Sequence, residues 1–243
     1  MRFRRWKPTT IPPAADAMNE AADVRIDLAD AGAVSGLLNA PDAMRALYVL
    51  GHGAGAGMRH AFMEQIASDL AARGIGTLRY QFPYMEKGGR RPDRPAVAHA
   101  TIRAAVAQAR VLAPGVPLFA GGKSFGGRMT SQAEAAEPLG VGGLIFLGFP
   151  LHPAGKPGID RADHLSDIDV PMLFLQGTRD TLANLDLLRP VLDKLGHKAA
   201  LEVIEDGDHS FKVRKSVSGL SAADVMADLA ERSALWIDRA LAG

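Results

Sequence analysis

Apolar positions along the chain follow two rhythms. Residues 22–28 alternate apolar with polar side chains, as a half-exposed strand does, and 32–38 is placed to pair with them as an antiparallel neighbour. Six further runs, 46–50, 76–80, 118–120, 143–147, 171–175 and 201–204, are short and mainly apolar and read as buried, with Thr77 and Arg79 interrupting the second and Glu202 the last. Runs of that kind suit the central strands of a parallel sheet covered on both faces. Between them the spacing becomes helical. Residues 58–73 set Phe62, Ile66 and Leu70 four apart and meet Gly74 as a stop. The alanine-rich stretch 96–112 ends before Pro114-Gly115. Residues 187–195 carry Pro190, which predicts a kink or a start there. Residues 222–241 place Val225, Leu229, Trp236 and Ala240 on one side of a long closing helix. Strands alternating with helices predict an α/β chain, a mostly parallel sheet flanked by helices on both faces. Ligands in such a sheet bind beyond the carboxyl ends of the strands.

Length and composition narrow the classes. The 243 residues fit one domain, expected over 21–243, after a flexible tail at 1–20. The tail opens with the basic run Met1-Arg2-Phe3-Arg4-Arg5-Trp6-Lys7, but prolines follow it instead of the apolar stretch that an export signal needs. Met18 is a candidate native start. A net charge of +1 gives no bias toward nucleic acid or anionic lipid, and no apolar run is long enough to span a membrane. The absence of cysteine excludes disulfides and thiolate chemistry and fits a cytoplasmic setting. No metal or cofactor is expected. Oligomeric state is not legible.

The chemistry gathers at strand ends. Gly122-Lys123-Ser124-Phe125-Gly126 follows the run 118–120 and reads as strand, tight turn, helix: a nucleophile elbow with Ser124 at its apex. A serine hydroxyl needs a base and a group to orient that base. Asp180 follows the strand at 171–175 and His209 follows the one at 201–204, giving the chain order Ser, Asp, His. Asp180 also fits a helix N-cap, and His209 a hydrogen-bonded loop residue; the placement of all three after separate strands favours the relay. Gly51-His52-Gly53-Ala54-Gly55-Ala56-Gly57 follows the strand at 46–50 and suits an oxyanion loop. Its backbone N–H, from Ala54 or else Gly53, would act with that of Phe125. Two nucleotide readings fail. A phosphate-binding loop ending in Gly122-Lys123-Ser124 requires glycine where Pro117 stands, and the 51–57 turn lacks the third glycine of a dinucleotide fingerprint. His52 is a candidate brace for the oxyanion loop and a weaker candidate base. Lys123, His52, His152 and Lys156 are candidate substrate contacts, and the basic run 84–94 is either a solvated face or an attractor of anions. Only about 20 residues separate Gly148 from the strand at 171, too few for a large cap domain.

The chain resembles the α/β-hydrolase superfamily over roughly residues 22–243. Gly51-His52-Gly53-Ala54-Gly55-Ala56, Phe82-Pro83-Tyr84, Gly121-Gly122-Lys123-Ser124-Phe125-Gly126-Gly127-Arg128, Gly148-Phe149-Pro150-Leu151-His152-Pro153 and Gly207-Asp208-His209-Ser210-Phe211 are similar to the testis-expressed and NSL-complex-subunit-3-like hydrolase family, near the dienelactone hydrolases. The resemblance implies a hydrolase fold with Ser124, Asp180 and His209 as its triad. True dienelactone hydrolases use a cysteine, which this chain lacks. The expected activity is hydrolysis of a small carboxylic ester or related acyl substrate. The alternative is an interaction protein that keeps the fold without turnover.

Overall fold

A computed structural model describes residues 21–29 and 32–242. The tail expected at 1–20 lies outside the described residues. Among the described residues eight strands form one sheet: β1 (Ala22–Leu28), β2 (Gly32–Asn39), β3 (Ala46–Gly51), β4 (Ile75–Tyr80), β5 (Leu118–Lys123), β6 (Leu144–Leu147), β7 (Met172–Gly177) and β8 (Ala199–Ile204). Their order is β1-β2-β4-β3-β5-β6-β7-β8. β1 and β2 pair antiparallel in the register Ala22 to Leu38, and β2 pairs antiparallel with β4; the other pairs are parallel. The helices are α1 (Ala61–Ala71), α2 (Pro83–Glu86), α3 (Pro95–Leu112), α4 (Phe125–Ala136), α5 (Leu185–Leu195), α6 (Lys215–Ser218) and α7 (Ala222–Ala242).

Period-two alternation splits the core into two layers. Leu47 and Val49 of β3 point to a layer built with Ile102, Ala105 and Ala109 of α3, Met129 of α4 and Leu188 of α5. Their neighbours Ala46, Tyr48 and Leu50 point to the other layer, with Met63, Ile66 and Leu70 of α1 and Leu229, Trp236 and Ile237 of α7. The apolar stripes of these helices are thus buried against opposite sheet faces, which is why the central strands read as continuous apolar runs. Between β6 and β7 the only helical segment is a 3-10 stretch over Asp160–Asp167, so this connection inserts no cap domain over the strand ends.

Several boundaries differ from the sequence reading by one to three residues, and three of them have a clear local reason. β5 runs on through Gly121, Gly122 and Lys123 instead of stopping at Ala120. At Gly121 and Gly122, φ is 146° and 151°, and a Cβ would collide with the carbonyl oxygens of Ile145 and Gly51. These glycines let the strand pass between its neighbours and do not form a turn. α1 starts at Ala61 because the His60 side chain accepts the Phe62 N–H at 3.2 Å. α5 starts at Leu185, well before Pro190, because Asn184 accepts the Asp186 N–H at 2.8 Å.

Candidate active site

The strand β5 delivers Ser124 into a backbone conformation of φ 49° and ψ −110°. L-residues avoid that region at a cost of about 1–3 kcal/mol. Packing on both sides sustains it. The Ser124 N–H bonds the Leu147 carbonyl at 3.2 Å, and the Arg128 N–H bonds the Ser124 carbonyl at 3.0 Å as α4 begins. Gly126 brings α4 against β3: a Cβ there would lie 2.8 Å from the His52 carbonyl oxygen and collide with that of Gly51.

His209 and Asp180 meet this serine from two other strand ends. His209 Nε2 lies 2.8 Å from Ser124 Oγ, and His209 Nδ1 lies 2.7 Å from Asp180 Oδ2. A carboxylate only accepts, so Nδ1 carries the proton and Nε2 presents its lone pair to the serine hydroxyl. The Asp180 side chain is fully buried, and that of His209 is 22% exposed. Asp180 Oδ1 accepts the Leu182 N–H at 2.8 Å, and Oδ2 also accepts from Gln176 Nε2. Gln176 is wholly buried at the end of β7, and its Oε1 accepts the Phe149 N–H at 3.0 Å. The loop carrying His209 is tied down by Asp206, which accepts from Arg214 Nε at 2.8 Å and from the Arg214 N–H at 2.6 Å. Those bonds, led by the Arg214 side chain, hold the Asp206 carboxyl at about 2.

The glycine-rich turn after β3 closes on the same point. A Cβ on Gly53 would stand 3.9 Å from the Ser124 Cβ. The N–H groups of Gly53, Ala54 and Phe125 have no hydrogen-bond partner among the described residues. Tyr84 secures the turn by accepting the Gly55 N–H on its hydroxyl at 2.9 Å.

A model of the family described as the alpha/beta hydrolase domain matches residues 44–238. That span takes in the elbow, the glycine-rich turn and the loops of Asp180 and His209. The chain belongs to the alpha/beta hydrolase family. Solved structures share the fold at low identity. A serine hydrolase without a lid from Xanthomonas campestris is 22% identical, with 90% of this chain and 95% of that one covered at a TM-score of 0.70. A dienelactone hydrolase from Anabaena variabilis is 16% identical over 90% and 97% of the two chains, TM-score 0.73. An esterase domain from Rhodothermus marinus is 16% identical over 90% and 98%, TM-score 0.68.

In this alpha/beta hydrolase chain, two of the four candidate substrate contacts turn out to be internal braces. His52 is fully buried. Its Nδ1 donates to the Gly53 carbonyl at 2.8 Å and its Nε2 accepts the Phe82 N–H at 3.2 Å, so neither nitrogen is free for substrate or for proton transfer. Burial lowers its pKa to about 4. His152, 4% exposed, repeats the device: Nδ1 donates to the Pro153 carbonyl at 2.9 Å and Nε2 accepts the Asn184 N–H at 3.1 Å. Lys156 stands exposed on its loop. Lys123 turns its ammonium to the His209 backbone carbonyl. The basic run 84–94 divides: Tyr84 is buried and its N–H bonds Asp93 Oδ2 at 3.0 Å, while Arg90, Arg91 and Arg94 are exposed.

A second serine–histidine contact, Ser131 Oγ to His164 Nε2 at 2.7 Å, has the wrong polarity for a nucleophile and its base. The Ser131 hydroxyl donates to the Arg128 carbonyl at 2.8 Å, so His164 Nε2 is the donor to Ser131. Burial, aided by the Arg128 charge, lowers His164 to about 4. Sequence reasoning missed Gln176 and Tyr84. A polar residue ending the apolar run 171–175, four before the acid, was the available signal for Gln176. Tyr84 carried none beyond its place in Phe82-Pro83-Tyr84.

Proposed function

We propose that the chain is a serine hydrolase that cleaves carboxylic esters or closely related acyl substrates through Ser124, His209 and Asp180. The observation that carries the reading is the unbroken relay, 2.7 Å from Asp180 to His209 and 2.8 Å from His209 to Ser124, on a strained serine at a strand-to-helix turn. His209 Nε2 takes the hydroxyl proton as Ser124 Oγ attacks the acyl carbon. Asp180 keeps the imidazole in the productive tautomer and stabilises the imidazolium. The N–H groups of Phe125 and Ala54, with Gly53 as the alternative to Ala54, receive the oxyanion; one such donor is worth about 2.7–4 kcal/mol of barrier. His209 then protonates the leaving alcohol, and a water deprotonated by His209 releases the acid from Ser124. No step requires a cofactor.

The resemblance of the site segments to the testis-expressed and NSL-complex-subunit-3-like branch belongs to this proposal, as do a single domain over 21–243 and a cytoplasmic setting fitted by the lack of cysteine. Neighbours described as an esterase domain and a lidless serine hydrolase support the class, and the absence of a cap between β6 and β7 favours small, freely entering substrates. The test is turnover of p-nitrophenyl esters of graded acyl length. Turnover lost in Ser124→Ala supports the reading. Turnover equal in the two proteins, or absent from a folded wild type across the series, refutes it.

A further inference from the structure

Lys123 ends β5, one residue before Ser124, and takes no part in the relay. Its ammonium donates to the carbonyl oxygen of His209 at 2.5 Å, which links the strand of the nucleophile to the loop of the base. Nζ lies 5.3 Å from the ring centroid of Phe211 and 5.9 Å from that of Phe62, and these rings stack 6.1 Å apart. Phe211 itself holds a φ of 61°. A Cβ on Gly148 would stand 3.0 Å from Nζ and 3.6 Å from His209 Cε1, so the backbone after β6 walls the slot. The titratable groups facing the ammonium are Asp180 from the loop after β7, and Asp208 and His209 from the loop after β8. α1 contributes the Phe62 ring, and the loop after β6 contributes Gly148.

Resting on the relay reading above, we propose that Lys123 is a positioning residue whose ammonium fixes the His209 backbone, and with it Nε2, at hydrogen-bond distance from Ser124 Oγ. His209 is carried by a loop, the class of segment most free to drift. Asp206 and Arg214 anchor that loop from its own side; Lys123 anchors it from the side of the nucleophile, so serine and base keep one frame. A shift of about 1 Å in such a relay costs about 100-fold in rate. The bond to a charged donor is roughly twice as strong as its neutral counterpart, so the device depends on protonation. Burial lowers the Lys123 pKa to about 8, against the opposing pull of Asp180 and Asp208. Activity therefore falls as the pH rises through that value.

The test follows kcat for p-nitrophenyl acetate, and the rate of labelling by a fluorophosphonate, from about pH 6 to about pH 10. Wild type, Lys123→Met and Lys123→Arg are compared, with thermal melts confirming the fold. Wild-type kcat is expected to drop on the alkaline side with a midpoint near 8. Lys123→Met is expected to lose about tenfold or more in kcat, to keep KM within about twofold, and to show no alkaline limb. Lys123→Arg keeps its charge, restores part of kcat and lacks the limb. A wild-type profile flat above about pH 7, or a Met variant with wild-type kcat or an unchanged limb, overturns the proposal. Should Lys123→Met not fold, the wild-type profile and Lys123→Arg decide. A wild type that neither turns over nor labels brings down the relay reading and the proposal together. Full wild-type labelling with an unaltered Met variant brings down the proposal alone.

Discussion

Replacing Asp180 by asparagine asks what holds the imidazole in its productive tautomer. The carboxylate accepts three bonds, unequally divided: the Leu182 N–H on Oδ1, and Gln176 Nε2 with His209 Nδ1 on Oδ2. Gln176 cannot reverse its amide, because Oε1 is held by the Phe149 N–H. Asparagine has one carbonyl to offer. Placed at the Oδ2 position, it keeps Gln176 and His209 and strands the Leu182 N–H, which is only part-buried and can turn to water. Placed at Oδ1, it keeps Leu182, donates its own amide to a flipped His209, and strands the Gln176 amide, which is wholly buried. A stranded buried donor costs about 1–3 kcal/mol, so the first orientation wins and the tautomer survives. What is lost is the charge, worth about 4 kcal/mol for a pair about 4 Å apart at an effective dielectric constant near 20. The amide dipole retains part of that, so kcat/KM is expected to fall about 10²–10³-fold. A flipped tautomer costs about 10⁴-fold. Adding Gln176→Met removes the donor that decides, and the double variant is expected to flip and to lose about 10- to 100-fold more than Asp180→Asn alone. The assay is kcat/KM for p-nitrophenyl acetate across the four proteins of the cycle. A loss of about 10⁴-fold in Asp180→Asn that Gln176→Met leaves unchanged would refute the reasoning.

Two further outcomes follow from packing and burial. His52 and His164 are held neutral, each with a folded pKa of about 4 against an ordinary value of 6.5. The unfolded chain takes up those protons first, so stability is full above about pH 6.5 and falls toward pH 4, by up to about 3 kcal/mol for the fully buried His52 and less for His164. Urea denaturation at about pH 7 and about pH 4.5 measures it, and equal stabilities would contradict the burial of both imidazoles. Gly126→Ala puts a Cβ against the backbone of Gly51 and His52, where no side chain can yield, and is expected to unfold or to disable the elbow. Gly158→Ala meets nothing within 4 Å and is expected to leave the melting temperature unchanged, which makes it the control.

The sheet was legible because its central strands are buried on both faces, so that runs such as 46–50 and 171–175 are apolar without interruption. Ser124 and Asp180 were legible as strand-end residues because each follows such a run, whereas His209 follows β8, a half-buried edge strand that carries Glu202. The extent of β5 was not, since glycine reads locally as a turn whereas here it answers to the carbonyls of strands distant in sequence. His52 was read as a brace for the oxyanion loop, but its bond to the Phe82 N–H was not legible, and the role of His152 was hidden for a similar reason: each imidazole is spent on one adjacent carbonyl and one N–H from a remote loop, a bond that no local pattern signals. Gln176 escaped because its partners, Phe149 and Asp180, meet only when β6 and β7 pair.

The proposed chemistry stands on Ser124 as nucleophile and His209 as its base. Intact-mass measurement after treatment with a fluorophosphonate, followed by peptide mapping, tests it most directly. One adduct per chain is expected on Ser124, absent in Ser124→Ala and slowed at least about 10³-fold in His209→Ala. A folded wild type that gains no adduct, or an adduct that maps to another residue such as Ser131, would contradict it.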